Sequence, residues 1–73
     1  MNRDEMKKHT YLVIEKGGEY LTGYGTFMGI IGWDKHLSNA WKTRDKNEAL
    51  RVAEEYGGTL MLFNDVLWRT QAL

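Results

Sequence analysis

The chain has no cysteine and no proline. Without thiols it can form neither a disulfide nor a thiolate metal ligand, and small secreted domains generally depend on such staples, so a reducing compartment is expected. Long apolar runs are also missing: nothing approaches the roughly 20 residues that span a bilayer, and the opening Met1-Asn2-Arg3-Asp4-Glu5 lacks the apolar stretch of a signal peptide. The expected setting is the cytoplasm, with no membrane insertion. Charge of one sign is lacking too, since ten Lys and Arg balance ten Asp and Glu. Such a chain does not carry the positive field that supplies most non-specific affinity for a phosphate backbone, which argues against nucleic acid as the partner. No fixed-period repeat or low-complexity tract occurs, so neither a repeat array nor an interdomain linker is indicated.

What is present suits one small core. A chain of 73 residues has no surface to spare for a second core, and 42% hydrophobic residues with three Trp, four Tyr and two Phe are enough to fold. Neutrality and this many aromatics in so short a chain also favour self-association, and a homodimer is one expectation. Residues 1–9 are polar and without a sustained period, which predicts a flexible arm ahead of a single domain over 10–73. Tyr11-Leu12-Val13-Ile14 and Tyr20-Leu21-Thr22, joined through Gly17-Gly18, read as a hairpin. The glycines at 23, 25, 29 and 32 punctuate an apolar stretch that reads as a middle strand with a bulge. Residues 33–41 have Trp33, Leu37, Ala40 and Trp41 at helical spacing and read as a connector with a short turn.

Asp45-Lys46-Asn47-Glu48 has the form of a capping box, and Ala49, Val52, Ala53 and Tyr56 share one face before Gly57-Gly58, so a helix is predicted over about 46–56. Thr59–Phe63 and Val66–Arg69 follow as two strands, with Asn64-Asp65 between them as a turn or a bend. The expected fold is α+β: an antiparallel sheet of about four strands packed on one main helix.

Residues with chemistry are few. Of two histidines, His9 lies in the expected arm, and His36 stands in Asp34-Lys35-His36, a pattern that an exposed turn explains as well as an acid–base pair would. Two separated histidines without cysteine do not make a metal site, and no cofactor is expected. Gly23-Tyr24-Gly25-Thr26-Phe27-Met28-Gly29 departs from the dinucleotide fingerprint at its last glycine and is followed by no helical pattern. Lys42 and Arg44 beside Trp41 hint at a nucleic-acid surface, the second reading; a small enzyme around Asp34 and His36 is a third. The aromatic residues favour a protein-binding surface, because Tyr, Trp and Arg anchor protein interfaces. The candidate contact residues are Tyr24, Phe27 and Met28 in the glycine-rich segment and Trp33 beside it, with Asp34, Lys35 and Arg44 as rim charges.

Tyr11-Leu12-Val13-Ile14, the run from Gly17 to Gly23, Trp33, Leu37, Ala40, and Glu48-Ala49 in a helix closed by Gly57-Gly58 resemble small proteins of bacteriophages and gut-bacterial mobile elements. The resemblance covers about residues 11–63, and its motifs are structural, so no functional residue carries over. It implies a compact, cofactor-free protein that binds and disables a host protein in the host cytoplasm, an anti-CRISPR-like inhibitor of a CRISPR effector being one such case. Many inhibitors of that kind are acidic DNA mimics. This chain is not acidic, so it is expected to act stoichiometrically through its aromatic, mixed-charge surface.

Overall fold

Four successive apolar residues, Tyr11 to Ile14, suit a strand only where both of its faces are covered. The computed structural model, which describes residues 8–23 and 32–73, places them in such a strand. Leu12 and Ile14 join Leu21, Leu60 and the helix residues Ala49, Val52 and Ala53 on one side. Val13 packs with Phe63 and Ala40 in a second cluster, against which Tyr11, Tyr20, Leu37 and Met61 lie. The strand β1 (Thr10–Lys16) is thus the centre of the molecule. It turns through Gly17 and Gly18, both at positive φ (60° and 85°), into β2 (Glu19–Gly23).

The described elements continue with β3 (Gly32–Asp34), a single 3-10 turn (Leu37–Asn39), the helix α1 (Lys46–Tyr56), β4 (Thr59–Asn64) and β5 (Arg69–Ala72). All pairings are antiparallel, in the order β3-β2-β1-β4-β5. The fold class is therefore α+β, with five described strands rather than about four. Residues 1–7 and 24–31 lie outside the described residues, and with them most of the expected arm and the expected middle strand. The strand β3 instead takes Gly32, Trp33 and Asp34, two of which were read as the start of the connector. The connector does contain the expected short turn, at Leu37–Asn39, while Trp33 and Asp34 belong to a strand.

β1 and β2 pair only at Glu15–Tyr20 and Lys16–Glu19, next to their turn. Beyond that point the returning chain enters between them. Trp41 N–H donates to Leu21 O (2.8 Å), while Leu12 and Thr43 exchange both backbone bonds (2.7 and 3.1 Å). This insertion satisfies backbone groups of β1 that would otherwise be stranded beside the core. It also delivers the chain to Asp45, whose carboxylate accepts from Glu48 N–H (3.1 Å) and caps α1. The reciprocal half of the expected capping box is replaced, because Asp45 N–H donates to Thr43 Oγ1 (3.1 Å). Gly57, left-handed at φ 78°, stops the helix with its N–H on Ala53 O. Gly58 is required for room: a Cβ there would come within 2.2 Å of Ile14 Cγ2.

The end of the chain differs from its reading in one respect that matters for function. Val66-Leu67-Trp68 is a turn, and the second strand starts at Arg69. Asn64 causes this, since its side-chain oxygen accepts from both Val66 N–H and Leu67 N–H (2.9 Å each). An Asn side chain bonded to the following backbone substitutes for a ladder and closes a hairpin.

Candidate functional site

The turn between β4 and β5 presents apolar side chains where turns normally present polar ones. Val66, Leu67 and Trp68 are 50%, 53% and 54% exposed, and Leu73 just past the far end of β5 is 62% exposed. Trp68 has φ 54°, the only positive value among the described non-glycine residues. A left-handed backbone costs a non-glycine residue roughly 1–2 kcal/mol, and a bulky ring is an unusual occupant. The conformation sets the indole edge-on to Phe63, with ring centroids 5.2 Å apart and planes at 82°, a contact that recovers about 0.5–1.5 kcal/mol. About half of the indole stays in solvent even so.

Beside the turn runs β5, whose outer edge has no strand partner among the described residues. Its ladder to β4 is regular over four consecutive pairs, Met61–Ala72 to Asn64–Arg69. The opposite edge, β3, is three residues long and bulged against β2 between Leu21 and Gly23. Leu67 and Arg69 also line a shallow cleft of about 230 Å³ with Leu62 and Phe63, too small and open to enclose an ordinary small-molecule ligand.

The residues singled out in the sequence fall elsewhere. Tyr24, Phe27 and Met28 lie outside the described residues. Trp33 is half-buried against the helix-side core, with Lys16 Nζ 5.6 Å from its ring centroid. Asp34 holds the turn that follows it: Oδ1 accepts from the backbone N–H of His36 (2.7 Å) and Oδ2 from Asn39 Nδ2 (3.0 Å). These two hydrogen bonds, the backbone one first, hold its carboxyl below the usual carboxylate range. The Asp-x-His pattern is accounted for by this turn, in which Asp34 meets the His36 backbone. Lys35 is exposed. Arg44 stacks its guanidinium 4.2 Å from the Tyr11 ring centroid and donates to Lys8 O. Lys42 donates to Ala40 O (3.0 Å) and sits 5.6 Å from the Phe63 ring centroid. Both cations flanking Trp41 are thus engaged within the fold, and Trp41 itself packs against the core.

His9, read as part of a mobile arm, is held at the turn: its Nδ1 lies 2.8 Å from Asp65 Oδ1 and its carbonyl accepts from Asp65 N–H (2.9 Å). Among the described residues no three His, Cys, Asp or Glu side chains converge as metal ligands, and no helix is long and apolar enough to cross a membrane.

No family model, curated protein or solved structure matches the chain. The feature missed in the sequence was the display of Val66, Leu67 and Trp68, and the signal for it was Asn64-Asp65, a pair suited to closing a hairpin ahead of them.

Proposed function

We propose that the chain is a protein-binding module whose contact surface is the β4–β5 turn and the adjoining edge of β5. The observation that carries the reading is Trp68: an exposed indole held in a strained backbone conformation, flanked by two exposed aliphatic residues. A fold with no use for that display would be served better there by glycine or asparagine, and backbone outliers cluster where a surface has a task. Aromatic anchors surrounded by aliphatic contacts are what interfaces bury. Binding of this kind is stoichiometric and needs no cofactor. The resemblance to phage-borne proteins extends the proposal to a host protein as target, a CRISPR effector included, reached in the host cytoplasm. The nucleic-acid reading is the weaker one, because Lys42 and Arg44 are engaged with Phe63 and Tyr11 of the fold and Trp41, the ring they were read beside, packs against the core.

The test compares the wild type with Leu67→Ser and Trp68→Gly as immobilised baits in cell extract. A protein retained by the wild type is expected to be lost from both variants while their circular dichroism spectra stay unchanged. Equal retention by all three would remove the turn as the contact surface, and multiple turnover of any substrate by the pure chain would replace the binding reading with an enzymatic one.

A further inference from the structure

We propose that His9 is the positioning residue of the contact turn: it clamps Asp65 and so keeps Trp68 in the left-handed conformation that displays the indole. The inference rests on the reading of the β4–β5 turn as a contact surface, and it adds what holds that surface in its binding form.

A strained backbone persists only where its surroundings leave it no easier conformation. The hydrogen bonds inside the turn run to one residue: Val66 N–H and Leu67 N–H to the Asn64 side chain, and Trp68 N–H to Asn64 O (2.8 Å). They close the loop, but they fix it only with respect to Asn64, and Asp65 stands between Asn64 and the three displayed residues. His9 supplies a hold from outside the hairpin. Thr10 and Asn64 are the last pair of the β1–β4 ladder, and the bond from Asp65 N–H to His9 O (2.9 Å) carries the pairing one residue further. The side chains close the same pair, with His9 Nδ1 2.8 Å from Asp65 Oδ1. A carboxylate only accepts, so Nδ1 carries the hydrogen. Held at both its main chain and its side chain, Asp65 cannot turn without breaking one of the two bonds.

The other end of the clamp is firm. Next to His9, Lys8 O accepts from Arg44, whose guanidinium lies on the Tyr11 ring, and Tyr11 packs against the cluster of Val13 and Phe63. Phe63 is also the ring that Trp68 meets edge-on. Clamp and indole are thereby tied to the same buried residue. The His9 and Asp65 side chains are 41% and 33% exposed, so the pair adds little to the stability of the whole fold. Its effect is local, because the residue it releases leads directly into the display.

His9→Ala and His9→Asn in the full chain test this by NMR, through amide exchange with water and the three-bond HN–Hα coupling of Trp68, which reports its φ. In His9→Ala, exchange of the Val66, Leu67 and Trp68 amides is expected to speed up about three- to tenfold, the factor that one hydrogen bond supplies, and the Trp68 coupling to change. Amides of β1 and β4 are expected to stay as in the wild type, which also shows that the variant folds. His9→Asn keeps an N–H where Nδ1 stands and is expected to restore both readouts. Unchanged exchange and coupling in His9→Ala overturn the proposal, as does faster exchange spread equally over β1 and β4, or a failure of His9→Asn to restore the turn. A turn that loosens in His9→Ala without loss of the protein retained from extract would sustain the clamp and remove the turn as contact surface. A turn unmoved in His9→Ala, with retention still lost in Trp68→Gly, would do the reverse.

Discussion

Trp68 is held by two opposing effects of similar size, the left-handed backbone and the edge contact with Phe63. Trp68→Gly relieves the first and loses the second, so urea denaturation should place it within about 1 kcal/mol of the wild type. A loss of several kcal/mol would mean that the indole serves the core. Asn64→Ala, by contrast, removes the acceptor of two exposed backbone N–H groups of the turn and should cost ~1–2 kcal/mol, the net worth of two hydrogen bonds. Gly58→Ala should cost ~1–3 kcal/mol, because the new methyl meets Ile14, which is fully buried and has nowhere to move. Asp34 provides a pH test. Its carboxyl is held below the usual range in the folded chain, so its contribution is present at neutral pH and fades as pH falls through its folded-state value. The acid limb of stability is expected to flatten in Asp34→Asn, and an unchanged limb would show that the turn does not depend on the charge.

At the scale of elements, legibility followed how local the deciding interaction was. The helix was readable to its bounds because Asp45, the Ala49-Val52-Ala53-Tyr56 face and Gly57 all lie within one short segment. The first hairpin was readable for the same reason, from Gly17 and Gly18. The cap differs in one part: Thr43 takes the Asp45 N–H that Glu48 was expected to take, and Thr43 is placed there by its bridge to Leu12, thirty-one residues earlier in the chain. Asp45→Ala should therefore destabilise by about 1 kcal/mol, while Glu48→Ala should cost a few tenths at most in thermal unfolding. Equal effects would restore the reciprocal box. The connector with its short turn was legible, but Trp33 and Asp34 belong to a strand through their pairing with β2, and the entry of Trp41 and Thr43 between β1 and β2 is recorded by no local pattern. Val66–Trp68 was misread because apolar residues after a strand suggest another buried strand, whereas Asn64 curls the chain before they can enter the sheet.

For the whole molecule, the α+β class was legible from the apolar strand runs and one amphipathic helix, whereas the pairing of β1 with β4 at the centre of the sheet was not. Nor was the surface. Exposure is a property of the assembled sheet, and the tryptophan chosen for display, Trp33, packs against the core, while Trp68 stands in solvent. The proposed contact surface is the β4–β5 turn with the adjoining β5 edge, and if neutral charge lets copies of the chain associate, that surface is where they would meet. Amide shifts of the ¹⁵N-labelled protein, followed by NMR through a dilution series, test this most directly. The shifts that move with concentration are expected to cluster between Val66 and Leu73, while those of β3 and residues 34–44 stay fixed. Movement confined to residues 33–44 would contradict the account.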